Sequence, residues 1–232
     1  MIETWEVAGG ILEYIDESHT YIYDGIILPS ITQILKIKFG NKYNGISKEV
    51  LQKASIKGTK VHQAIEDYEK RSIDDSKCKE LRNYKFLKSR FGFECLDNEV
   101  PIVLFLDGKP VCAGRIDLIL RDKEAIGVAD IKRTSVFDKE YVAYQTNLYR
   151  IGYQQCYKVK VSFLKGIHLR DDVRKYIDLP INEEMSLKLV REYMEVKNVW
   201  KYYSKEKNKW KNKARPFIET YDKKAIKWIL RS

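Results

Sequence analysis

Two aspartates and a lysine stand out first: Gly114-Arg-Ile-Asp117, then twelve intervening residues, then Asp130-Ile-Lys132. On a strand, residues two apart share a face and lie roughly 7 Å from one another, so Asp130 and Lys132 project together. A neighbouring strand can bring Asp117 alongside. Two carboxylates held that close repel each other unless a cation neutralises them. Mg²⁺ suits such a site, because it takes one or two carboxylates and keeps waters as its other ligands. A bound ion lowers the pKa of a water and stabilises charge on a phosphodiester oxygen. Lys132 can then orient that water or stabilise the negative charge of the transition state. A D-x-K tripeptide alone is common on strand edges. Here Asp130 follows the apolar run AIGVA and Asp117 sits within AGRIDLIL, where unpaired carboxylates are expensive, so the two acids need a common partner.

The elements that must carry these residues read as strands followed by helices. EVPIVLFL, PVCAGRIDLIL and AIGVADIKR are separated by Asp107-Gly108 and by a charged turn, which predicts an antiparallel meander. Residues 138–155 read as a helix, and VKVSFLKGIHL and VRKYIDL as two further strands. Ahead of the meander, residues 20–28 read as a hairpin turning at Asp24-Gly25, and Ser30 as the N-cap of a short helix over ITQIL. Ser47 caps a helix expected to run through Ile56 and to stop near Gly58, and Thr59 caps the next. In that second helix Val61, Ala64, Ile65 and Tyr68 form an inward stripe, with His62 and Glu66 on one face at its edge. Leu189, Tyr193, Val196, Trp200 and Tyr203 keep a 4-3-4-3 spacing, which predicts a C-terminal helix packing that face on the body. The fold class is therefore α/β: a central mixed sheet of about five strands flanked by helices.

Taken in order, Gly58-Thr-Lys-Val-His62, Glu99, Gly114-Arg-Ile-Asp117, Asp130-Ile-Lys132 and Gln145-Thr-Asn-Leu-Tyr149 resemble the PD-(D/E)XK nucleases, specifically their RecB-type exonuclease branch. The segment LPSITQIL is similar to one in phage and mitochondrial members. The resemblance covers residues 20–180 and implies a restriction-endonuclease-like core. It implies that His62, Asp117, Asp130 and the carbonyl of Ile131 hold a catalytic Mg²⁺ or Mn²⁺, with Lys132 as the catalytic lysine. Gln145 and Tyr149 match a helical motif that contacts DNA or supports the site. Glu66 either touches the metal or accepts a hydrogen bond. Glu99, expected to begin the first strand, either stands behind the ligands or is an ordinary strand-end acid. Members of the branch with an iron–sulfur cluster carry a terminal group of cysteines. The four here, Cys78, Cys95, Cys112 and Cys156, have no such spacing, so no cluster is expected.

Charge points the same way. Forty-three basic residues against thirty-three acidic ones leave a net charge of +10, which favours a polyanionic partner. The last segment is the most basic and interleaves lysines with aromatic rings, as in single-strand channels. Lys209, Trp210 and Lys211 there, with Arg115 and Arg133 beside the acids, are the candidate DNA contacts. One nuclease domain over 1–232 is expected, with 181–232 as a basic helical extension. No run approaches the roughly 18 apolar residues of a membrane span. The first residues lack a basic segment followed by an apolar run, so no signal peptide and a cytoplasmic, intracellular location are expected. The function these features imply is a metal-dependent exonuclease acting on DNA with a free end, in recombination, repair or replication. It would work alone or with a recombination or replication protein, and could be phage-encoded. The alternatives are a structure-specific endonuclease on the same core and a catalytically silent DNA-binding module. Charge and a Mg²⁺ site do not by themselves separate DNA from RNA.

Overall fold

A computed structural model describes residues 1–40 and 45–207, with residues 197–207 described by their backbone alone. Lys209, Trp210 and Lys211 lie outside the described residues. The chain opens with β1 (Ile2–Val7), β2 (Gly10–Ile15), β3 (Thr20–Tyr23) and β4 (Ile26–Leu28), an antiparallel sheet in sequential order. Helices α1 (Ile31–Phe39), α2 (Lys48–Arg71) and α3 (Lys79–Phe91) follow. Next come β5 (Glu94–Leu106), β6 (Lys109–Asp122), β7 (Ala125–Lys132), α4 (Lys139–Tyr157), β8 (Phe163–Arg170), β9 (Val173–Leu179) and α5 (Glu183–Lys207).

The central sheet is mixed, with order β5-β6-β7-β8-β9. Strands β5, β6 and β7 form the expected meander. The chain then crosses through α4 so that β8 runs parallel to β7, and β9 returns antiparallel. One face packs α1, α4 and α5 through Ile34, Leu35, Val142, Leu148 and Val190; the other packs α2 and α3 through Val61, Ile65, Leu81 and Leu87. The α/β class with a five-stranded mixed sheet between helices is as the periodicities imply. Among the described residues, no helix is long and apolar enough to cross a membrane.

Several local expectations hold for the stated reasons. Asp24 and Gly25 both take positive φ between β3 and β4, as a two-residue hairpin turn requires. Ser30 caps α1 in a full capping box with Gln33, Ser47 caps α2 by accepting from the Val50 amide, and the helix read over 138–155 is α4.

Others do not hold. Helix α2 is continuous through Gly58, which lacks a positive φ, and the Thr59 hydroxyl donates to the Ser55 carbonyl instead of capping a new helix. An interior glycine weakens a helix by only about 1 kcal/mol, less than a break and a second nucleation would cost. Strands β1 and β2 and helix α3 carry no motif that marked them in advance. Glu99 does not begin the first strand; it lies inside β5, with φ of 51°. On α5, Leu189 is buried and Tyr193 partly so, but Val196 is 51% exposed.

Candidate active site

The sheet register sets the site. The β6–β7 ladder ends at the Leu118–Ala129 pair, and one step further along brings Asp117 and Asp130 opposite each other. There the strands part, and Asp117 Oδ2 accepts the Ile131 amide hydrogen at 2.6 Å. On the other side of β6, Glu99 sits between the Asn98–Leu118 and Val100–Ile116 pairs, which places it across from Asp117. Its left-handed backbone is an unusual state for a strand residue, and such conformations concentrate at functional sites.

From the α2 face His62 enters between these strands. Its Nε2 is 3.2 Å from the Ile131 carbonyl, and a carbonyl can only accept, so this nitrogen carries a hydrogen. Nδ1 is then directed at the acids, 3.6 Å from Asp117 Oδ1 and 3.7 Å from Glu99 Oε1. One donor atom from each of His62, Glu99 and Asp117 falls within 4.8 Å of the others, close enough to share an ion. The grouping differs from the expected one: Glu99 joins the donor set, and the Ile131 carbonyl faces His62. Asp130 is not among the three.

Asp130 is fully buried, and its Oδ2 lies 2.6 Å from Lys132 Nζ. Neither of its oxygens accepts a well-formed hydrogen bond. Lys132 also lies over the ring of Tyr141, 5.9 Å from its centroid. Burial opposes the charge of Lys132, but Asp130 and Asp117 outweigh it and hold the ammonium above its usual range. Burial likewise opposes protonation of His62, yet Asp117 and Glu99 push its pKa up to about 9. Burial, only partly offset by His62, lifts Asp117 to about 7. Burial would raise Glu99 too, but His62 and Arg115 hold it below the usual carboxylate value.

Helix α4 closes the site from the sheet's other face. Gln145 Nε2 donates to Tyr149 Oη at 2.9 Å, and both side chains are buried, so they support the site from within. The Tyr149 ring fits against Gly114: a Cβ there would come within 2.9 Å of Tyr149 Cε1 and 3.2 Å of Ile31 Cδ1. Tyr149, Gly114, His62, Glu99, Arg115 and Asp117 line one cleft of about 190 Å³ with Tyr21, Ser30, Ile31 and Thr32. The start of α1 reaches it because Pro29 and Ser30 bridge to Ala113 on β6.

Three sequence candidates are held by charged partners within the protein. Glu66 pairs with Lys70 at 3.3 Å, one turn along α2, and does not belong to the donor group. Arg133 reaches Glu80 at 2.6 Å and Asp171 at 3.2 Å. Arg115 is held by Glu3 and Glu99. Both arginines are thus committed to carboxylates within the protein. The four cysteines are free thiols spread over separate elements.

Sequence reasoning did not find Tyr21, Tyr14 or Glu3. Alternation in TYIYDGIIL places Tyr21 and Tyr23 on one face, but nothing local says which body that face meets.

No protein-family model matches this chain, and neither does any curated protein. Among solved structures the chain is similar to SSO0001, with 16% sequence identity and a TM-score of 0.41 over 73% of this chain and 76% of that one.

Proposed function

We propose that this protein is a metal-dependent deoxyribonuclease that hydrolyses phosphodiester bonds at DNA ends. The observation that carries the proposal is the convergence of His62, Glu99 and Asp117 within 4.8 Å, beside the buried Asp130–Lys132 pair. One imidazole and several carboxylates suit Mg²⁺ or Mn²⁺. Asp130 Oδ2 is paired with Lys132, while Oδ1 is buried without a hydrogen-bond partner and is available to a further ligand role. Asp117, Glu99 and His62 Nδ1 would hold the ion, with Asp130 completing the set. Bound there, a divalent ion supplies Lewis acidity and a water of lowered pKa.

The protein's own groups do the rest. The Nε2–H of His62, anchored on the Ile131 carbonyl, aims Nδ1 at the acids. Lys132, kept cationic by Asp130, is placed to stabilise negative charge as the phosphodiester is attacked. Tyr149 and Gln145 brace one wall of the cleft. The net charge of +10 favours a polyanion, and Lys209, Trp210 and Lys211 supply cations and a stacking ring in the basic C-terminal segment. Exonuclease action in recombination, repair or replication, in the cytoplasm and with a partner protein of those processes, is the reading that the motif series supports.

Linear DNA labelled separately at each end tests this, with wild type compared in Mg²⁺, Mn²⁺ and EDTA. Metal-dependent release of end label, abolished by Asp117→Asn with DNA binding retained, is the expected result. Binding without cutting under either metal would replace the enzyme with a DNA-binding module. Internal cuts in circular DNA would instead make it an endonuclease.

A further inference from the structure

The guanidinium of Arg115 lines the cleft, and two of the three groups that anchor it come from outside the central sheet. Its Nη1 is 3.0 Å from both carboxylate oxygens of Glu3, on β1. Its Nε is 2.8 Å from Glu99 Oε2. The ring of Tyr14, on β2, lies beneath it with the centroid 5.4 Å from Cζ. Glu99 is thereby divided: Oε2 is taken by Arg115, while Oε1 is turned towards His62 Nδ1 and the donor group.

A free arginine at this position would act against a cation site in two ways. Its charge repels a divalent ion across a short, partly buried distance. Its fork, which matches a carboxylate's two oxygens, would capture Glu99 bidentately and withdraw it. Glu3 offsets both effects, because it cancels the charge and occupies Nη1. We propose that Glu3 is a positioning residue for the metal site: through Arg115 it leaves one oxygen of Glu99 available to a divalent cation. The four-stranded sheet is then a working part of the site. The inference rests on the metal-site reading above and adds β1 to it.

Mn²⁺ binding to the full chain, measured by calorimetry and by loss of the free-ion electron paramagnetic resonance signal, tests this without any cleavage assay. Four proteins are compared: wild type, Glu3→Gln, Arg115→Met and the double variant. Glu3→Gln is expected to weaken Mn²⁺ binding about three- to tenfold, the size of one uncompensated charge at close range in a partly wet site. In the Arg115→Met background the same change is expected to alter binding less than about twofold, because its target is gone. The Glu3 side chain is 37% exposed, so its replacement is compatible with folding, and an unchanged thermal midpoint checks this. Equal losses in both backgrounds, or no loss in either, would overturn the proposal and leave the metal site standing. Wild type that binds no Mn²⁺ would overturn the metal site and this inference together.

Discussion

Asp117 accepts the amide hydrogen of Ile131 at 2.6 Å, and the carbonyl of that same Ile131 accepts from His62. One peptide segment on β7 therefore positions a carboxylate from β6 and an imidazole from α2. Of its neighbours on the strand, Asp130 lies opposite Asp117 and Lys132 lies over the ring of Tyr141 on α4. Both backbone groups of Ile131 thus orient the site, whatever its side chain does, and a sequence motif written in side chains cannot show this.

Lys132 and Asp130 should be separable in their effects on stability and on cutting. Lys132→Ala leaves a fully buried carboxylate without its cation and should destabilise the fold by about 3–5 kcal/mol while abolishing cleavage. Asp130→Asn combined with Lys132→Met removes the charges together and should restore most of that stability but none of the cleavage. Thermal melts alongside end-label release check both halves. A double variant that still cuts would remove this pair from catalysis.

Metal binding should displace protons. In the metal-free protein His62 is held to about 9 and Asp117 to about 7, both above their ordinary values of 6.5 and 3.8. The folded state therefore binds more protons than the unfolded chain across that range. The Asp117 contribution fades as pH climbs to about 7, and the His62 contribution is complete below 6.5 and gone above about 9. Metal-free stability should fall with rising pH between those limits. Mn²⁺ affinity should rise over the same interval, because the ion requires both groups deprotonated. Calorimetry in buffers of different ionisation enthalpy counts the released protons, and zero release at pH 7 would contradict the geometry.

Gly114→Ala should damage the site by crowding it. The new methyl would meet Tyr149 and Ile31 closer than ordinary contact, so the brace from α4 or the start of α1 must shift. A loss of about 1–3 kcal/mol in urea unfolding is expected. A variant of unchanged stability would mean that the Tyr149 wall is soft.

Arg133→Met should change stability more than DNA binding. It strands Glu80, which is only 8% exposed, so the thermal midpoint should fall. The slope of log affinity against log salt should stay as in wild type, because a residue that touches no phosphate releases no counterion. A slope reduced by about one would return Arg133 to the DNA surface.

The local code was legible where chemistry is local. The capping box at Ser30, the Asp24-Gly25 turn and the alternation through β6 and β7 each need only near neighbours, and the sequence carries them openly. Gly58 misled because a helix break and a tolerated interior glycine look alike until the length of helix on both sides is known. Glu66 takes the second of its two readings: helical spacing puts it on the His62 face, and its carboxylate accepts a hydrogen bond from Lys70 one turn on.

By itself, then, the sequence determined that Asp117, Asp130 and Lys132 ride on adjacent strands of an α/β sheet, because strand period and short turns fix that placement. Glu99 joining His62 and Asp117 was decided by the β5–β6 register and a left-handed residue, neither of which composition encodes. Glu3 meeting Arg115 across 112 residues was decided by how two sheets pack. Such contacts depend on where whole elements settle when their apolar faces are buried together, and no spacing along the chain records that.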